Sequence, residues 1–527
     1  MDSHYSKLME KCTQSYNLVL VFFCLILFAV WCILHYRKQV IVRWPIVGIL
    51  PSIMLNAHRI YDWTVDISKA FGGTIIERGP FFGRLEIVHT CDPRNIKYIL
   101  ATNYENFNDR QDYSDAFDTL LGDGLLTATS NFWIAQRRVA RMTFNSKIVR
   151  NIIAHKGKEV VQHALLPMLS HLSKESSVVD LQDVLMRYMF DTSVDIIFGK
   201  KSNYLSTSFP PNEIAKAMDD ASEAILFRHL VPISWWKLCR RLKIGSNEKK
   251  LEAAGMIIDR DIAKYINVKR DEMVAKGTKV DEYEETDLLE VYMSNKDGEK
   301  DELMLAKMLT DKFFRDTCVT FLVAARDTTA STLSWFFWSI LTNPYVEAKI
   351  LEELELIISK KNTMKKHPVI FDADDQTGMV YLHAALCESL RLWPAVPLLR
   401  KTPTNDDVLP DGTVIWPGMT VIISCYAMAR MEGVWGKDCL EFKPERWISE
   451  DGKLNHEAMS KLVSFSLGPR NCVGKDMAFV VMKLVASAVI YNFHFELLEG
   501  QHIAPTPAIT LKMMNGLMVR VRERVFS

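Results

Sequence analysis

One cysteine in the stretch SFSLGPRNCVGKDMAF, Ser464 to Phe479, stands between a Gly-Pro-Arg turn and an apolar run that reads as a helix. Several kinds of chemistry are open to the Cys472 thiol, and its surroundings separate them. A disulfide needs an oxidising compartment, whereas the ten cysteines of the chain, from Cys12 to Cys472, are scattered without CxxC pairs or a regular framework, which is the pattern of a reducing one. Zinc needs further ligands at short spacing, and the nearest histidines in sequence are His456 and His494. A nucleophile needs a base. A thiolate ligand to a large cofactor needs only one cysteine at a helix amino terminus, where backbone N–H groups and the helix dipole stabilise the charged sulfur. Cys472 has that placement, with Val473 to Tyr491 expected to continue as helix.

The neighbours then acquire physical roles. Gly468 and Gly474 allow the backbone to turn and lie against a flat macrocycle, Arg470 offers a forked cation to a carboxylate, and Phe465 can shield the sulfur from water. Phe465, Gly468, Arg470, Cys472 and Gly474 together spell F-x-x-G-x-R-x-C-x-G. In this pattern the chain resembles the haem-thiolate monooxygenases, the cytochrome P450 superfamily, and the likeness extends from about Ile41 to the last residue. The resemblance implies haem b as cofactor, Cys472 as the metal ligand, and Phe465, Arg470 and Gly474 among the residues that bind it.

Other motifs meet what that family demands. CESLR supplies Glu388 and Arg391 on one helix face and FKPERW supplies Arg446; in the family these three form a buried structural salt-bridge network. FWIAQR supplies Trp133 and Arg137, which in the family bond a haem propionate, with a second partner expected from Arg400 or Lys401. AARDTT, Ala324 to Thr329, matches the oxygen-binding helix, except that Ala325 stands where glycine is usual. Asp327 and Thr328 are the expected catalytic pair, relaying protons to the oxygen side of the reaction.

The activity so implied is hydroxylation of a hydrophobic substrate with O2. Electrons would come from NADPH through a separate membrane-bound reductase, because no GxGxxG follows a strand in this chain; Arg138, Arg141 and Lys147 are candidates for its docking face. Expected pocket residues are Leu125, Phe321, Ala324, Val396 and Leu398, joined by Leu120, Leu121, Leu126, Val323 and Leu399. HAALCESLRLWPAVP and YAMARMEGVWGKDCLEFKPERWI resemble the plant group that hydroxylates long-chain fatty acids and alkanes, so an aliphatic substrate leads. An aromatic or alkaloid scaffold is the alternative, with the acidic loop NFNDRQDYSDAFDTL able to meet a cationic amine. A haem-thiolate isomerase or dehydratase would not need Asp327 and Thr328, and a binding protein without cofactor would not need Cys472 and its flanks.

The elements around these motifs are mainly helical with small β-sheets, an α+β catalytic domain over residues 53–527 with the P450 fold. Between Asp311 and Thr342 there is no glycine or proline, so a helix about 45 Å long is expected there. Strands are expected in GTIIERG, RLEIVHT, GTVIWPGMTVIIS and, about an Asn-Gly turn, ITLKMMNGLMVRVR. Leu18 to Leu34 is an unbroken apolar run, expected as a single transmembrane helix over 16–36 with 1–15 lumenal and a proline-containing linker over 37–52. Basic residues Arg37, Lys38 and Arg43 follow the run, which leaves the body cytosolic at the endoplasmic reticulum membrane. The formal net charge is zero, which implies no nucleic-acid partner.

Overall fold

The computed structural model describes residues 39–43, 47–79, 86–108, 111–276, 286–294, 302–361 and 367–525, with Leu20, Phe23, Ile26 and Leu27. The expected anchor otherwise lies outside the described residues, and among the described ones no helix is long and apolar enough to cross a membrane. Within the expected linker a helix begins at Leu50, with Pro51 in its first turn, where the missing N–H has no intrahelical partner to lose.

The helices that position the site are α1 (Ile60–Phe71), α2 (Gln111–Leu121), α3 (Ser130–Asn145), α4 (Leu181–Phe198), α5 (Glu213–Leu230), α6 (Ser246–Lys276), α7 (Asp311–Leu341), α8 (Val380–Leu392) and α9 (Lys475–Asn492). The glycine-free run becomes α7 as expected. Thr310 caps it, its Oγ1 accepting from Phe313 N at 3.2 Å, and it ends where Pro344 opens the next helix. Midway along it Arg326 and Asp327 bond each other, and Thr328 and Thr329 border a cavity. Around them α7 is buried against α4, α6 and α8, and Trp335 stacks on Trp393 with ring centroids 4.0 Å apart.

Beside this helical body lies a four-stranded sheet in the order β1-β2-β7-β4, formed by β1 (Thr74–Arg78), β2 (Glu86–Thr90), β4 (Leu398–Lys401) and β7 (Thr420–Ser424). Its register aligns Ile75, His89, Ile422 and Arg400 in one row across all four strands. Directly opposed residues share a face, and this row faces the cavity described below. A second sheet pairs β9 (Met518–Glu523) with β3 (Val178–Asp180) on one side and β8 (Phe493–Leu497) on the other, and β5 (Asp407–Val408) pairs with β6 (Val414–Ile415).

One strand expectation is corrected. Of ITLKMMNGLMVRVR only the second half is a strand, because the first half bonds elsewhere. Leu511 N donates to Ala395 O at 2.9 Å, and Leu511 O accepts from Trp335 Nε1 at 2.6 Å and from Ser331 Oγ. The segment is laid along α7 as a wall and makes a lone bridge between Pro505 and Met513.

Candidate active site

The loop before α9 holds Cys472 by its backbone. Cys472 N donates to Phe465 O at 2.8 Å, which closes the loop on itself, and Gly474 serves as the N-cap residue of α9. Among the described cysteines, all of them free, Cys472 is the exposed one. It is nevertheless deep in the protein, since the surface it exposes lines an internal cavity of about 910 Å³, large for a small-molecule site. Burial pushes its thiol up from the ordinary value, and the Gly474 N–H with the Arg137 and Lys475 cations pulls it back.

The expected residues converge on this cavity from separate elements. Trp133 and Arg137 reach it from α3, Phe321, Ala324 and Thr328 from α7, Val396 and Leu398 from the segment after α8, and Leu125 from the turn after α2. Phe465, Arg470 and Gly474 line it beside Cys472. Leu121, Leu126, Val323 and Leu399 line it too, whereas Leu120 is turned into the core. Arg400 and Lys401 both border it, so their common placement leaves both as candidates for one role.

Three features at the Cys472 end fit a flat macrocycle bearing carboxylates. A Cβ built on Gly474 meets nothing within 4 Å, so the backbone presents an open face there. Arg137 is buried, its Nη2 donates to Asn471 Oδ1, and its Nε has no partner among the described residues. Arg470 lies over the Trp133 ring, 4.2 Å from its centroid, and is aimed by Asn108 Oδ1 at 2.6 Å and Ala128 O at 3.0 Å. A buried guanidinium nitrogen without an acceptor is costly, and a carboxylate would satisfy it.

Asp327 and Thr328 separate. Thr328 borders the cavity, its Oγ1 donating to Ala324 O at 2.7 Å. Asp327 does not border it. Its Oδ1 accepts from Arg326 Nη1 at 3.0 Å, and its Oδ2 lies 3.7 Å from Lys512 Nζ. Arg326 and Lys512 also bind Asp219 of α5, at 3.0 and 2.9 Å, and Asp219 is 47% exposed at its side chain. Burial alone would push the Asp219 carboxyl up, but the two cations hold it below the usual range. The sequence carries no local sign of Asp219 or Lys512, which lie 293 residues apart.

The structural triad forms as expected. Glu388 accepts from Arg391 at 2.8 and 2.9 Å, from Arg446 Nε at 3.1 Å and from Trp447 Nε1 at 2.9 Å. Arg391 Nη1 also donates to the carbonyls of Ala429 and Cys439. This ties α8 to the chain that leads into the Cys472 loop.

Residues 39–518 match the family model described as Cytochrome P450. The chain belongs to the cytochrome P450 family. It is a P450 monooxygenase, with haem b held by an axial cysteine thiolate, and similar to plant fatty-acid and alkane hydroxylases. Cytochrome P450 86B1 of Arabidopsis thaliana is 40% identical over 92% of this chain and 86% of the relative. Alkane hydroxylase MAH1 of the same plant is 37% identical over 93% and 94%. Noroxomaritidine synthase 2 of Narcissus aff. pseudonarcissus MK-2014 is 38% identical over 92% and 91%.

Two histidines in this P450 cavity were not singled out by any motif. His89 on β2 is buried, neither ring nitrogen having a hydrogen-bond partner among the described residues, and burial pushes it down to about 4. His229 at the end of α5 is pushed down to about 3 by burial, then by the Arg400 and Arg228 guanidiniums. Sequence gives no signal for either beyond residue type, because their enclosure comes from other elements.

Proposed function

We propose that this P450 hydroxylates a long-chain aliphatic substrate, with Cys472 as the axial ligand. The observation that carries the ligand assignment is the one cysteine among those described whose surface opens into the cavity, held at the start of α9 by Phe465 O. When bound there, haem supplies dioxygen activation, which thiolate ligation favours by promoting O–O cleavage. Trp133 and Arg137, with Arg470 beside them, would hold one propionate, and Arg400 or Lys401 would hold the second. Phe465, which packs on Phe479 at 5.4 Å, keeps water from the sulfur.

Thr328 holds the proton that the reaction consumes at its Oγ1. Asp327 receives protons through the Arg326, Lys512 and Asp219 network, which reaches solvent at Asp219. The aliphatic chain packs between Leu125, Phe321, Ala324, Val396 and Leu398. Electrons arrive from NADPH by way of cytochrome P450 reductase, docked on the exposed Arg138, Arg141 and Lys147 of α3 and the following helix. The run Leu18 to Leu34 anchors the protein in the endoplasmic reticulum membrane with the body in the cytosol.

An amine-bearing alkaloid is the second reading, supported by the similarity to noroxomaritidine synthase 2. Against it stand Asp115 and Asp118, the two of that acidic loop's four carboxylates whose side chains are described. Neither borders the cavity; Asp115 pairs with Lys237, and Asp118 with Arg240 and Arg228. The experiment offers purified protein and reductase a panel of fatty acids, alkanes and phenolic amines. Turnover of the aliphatic compounds is expected; turnover of the amines alone would replace the reading.

A further inference from the structure

His229 lies where the cavity meets α2 and α5, far in sequence from every motif discussed above. Its ring sits 5.6 Å from Phe117 and 6.0 Å from Tyr113, centroid to centroid, and those two rings are 4.5 Å apart. A phenylalanine would complete such a cluster with no polar atom to satisfy. Instead the imidazole stands there with its Nδ1 enclosed and no hydrogen-bond partner among the described residues, while its ring borders the cavity. A buried polar nitrogen kept without a protein partner calls for one from outside the chain.

The surroundings select the chemistry of that partner. The charged groups whose fields reach His229 are the guanidiniums of Arg400, which borders the cavity, and of Arg228, which Glu248 already pairs; the Arg400 cation favours an oxygen function and disfavours an ammonium. Most of the cavity lining is apolar, with Leu126, Phe321, Ala324, Val396 and Leu398 among it, suited to a methylene chain. We infer that His229 is a specificity-determining residue that hydrogen-bonds the terminal oxygen group of a long-chain substrate, so that the head is held under α2 and α5 and the chain runs toward Cys472. This rests on the aliphatic reading above and adds to it a fixed orientation: oxidation falls on carbons remote from the head group. A carboxylate and a primary hydroxyl both present the required oxygen.

The test uses the full-length holoprotein and its His229→Phe and His229→Gln variants. Equilibrium dialysis with radiolabelled hexadecanoic acid, hexadecan-1-ol and hexadecane separates the two head groups from a chain without one. Wild type is expected to bind the acid or the alcohol at least about tenfold tighter than the alkane, a typical range for one hydrogen bond to a buried or charged group. His229→Phe should erase that preference and leave hexadecane binding within about twofold, while His229→Gln, which keeps a donor and an acceptor, should recover part of it. Preference for the acid identifies a carboxylate and preference for the alcohol a hydroxyl, and both uphold the inference. Equal binding of all three by wild type, or an equal loss for all three in His229→Phe, overturns it. The carbon monoxide difference spectrum and thermal midpoint of each sample report haem ligation and folding separately, so failure here is distinct from failure of the P450 assignment.

Discussion

Thr328 and Asp327 are adjacent on α7, about 100° apart around it, and have different surroundings: the threonine hydroxyl borders the cavity while the carboxylate is buried against Arg326 and Lys512. On the proposed reading this divides the work of α7, with the reacting side at the Thr328 hydroxyl and the route to solvent leading from Asp327 to Asp219.

From that division it follows that Thr328→Ala should keep substrate binding and iron reduction yet uncouple the enzyme. Product formed per NADPH consumed should fall severalfold, with the missing electrons recovered as hydrogen peroxide. The change deletes little volume, so its cost to folding is about 1–2 kcal/mol at most. An unchanged ratio would move the proton role away from this hydroxyl.

Asp327→Asn should act through rate and not through binding. A lost proton-transfer group costs about 10²-fold or more in turnover, with KM near wild type and a larger solvent deuterium effect. Asp219→Asn opens the same network nearer the surface and should give a smaller effect of the same kind; no effect from either variant would remove the network from the proton route.

Cys472→Ser should abolish the red-shifted Soret band of the reduced carbon monoxide complex. Gly474→Val provides the complement, because a Cβ there meets nothing within 4 Å and yet enters the face on which the macrocycle would lie. That variant is expected to fold, judged by circular dichroism, with strongly reduced haem content. Full haem occupancy would show that α9 begins outside the cofactor plane.

Glu388→Ala leaves the buried Arg391 guanidinium without its carboxylate, while Arg446 keeps Asp438. Breaking one side of such a network costs about 3–5 kcal/mol. Loss of soluble expression or a sharply lowered urea midpoint is expected, and a midpoint equal to wild type would mean that the backbone carbonyls around Arg391 suffice.

Deletion of residues 2–36 should release the protein from membranes with its haem retained. In sealed microsomes, protease added outside should digest the body of the intact protein; protection of that body would reverse the orientation drawn from Arg37, Lys38 and Arg43.

Much of the site was legible because its parts are short and contiguous. Phe465 to Gly474, Glu388 with Arg391, and Trp133 with Arg137 each lie within one turn or loop, and local spacing is what a sequence displays directly. The uninterrupted span of α7 was legible for the same reason. What escaped depends on contacts across more than a hundred residues, such as Lys512 with Asp219 or the ring cluster about His229. The stretch Ile509–Met513 alternates like a strand, but Ala395, Ser331 and Trp335 take the hydrogen bonds of Leu511 that a ladder would have used. Strand propensity records a fit to a pleated surface and yields to such competitors.

Gly468 carries a consequence for any attempt to move this site into another protein. With φ at +67°, a Cβ there would fall 2.2 Å from Leu100 O and 2.7 Å from Ala101 Cα, so the cysteine loop rests main chain on main chain against the short helical turn Tyr98–Thr102. The ten-residue motif is therefore not a portable cassette. Grafted alone it would lack the bed that sets the height of the sulfur, and a recipient would have to supply a matching turn from a distant part of its own chain.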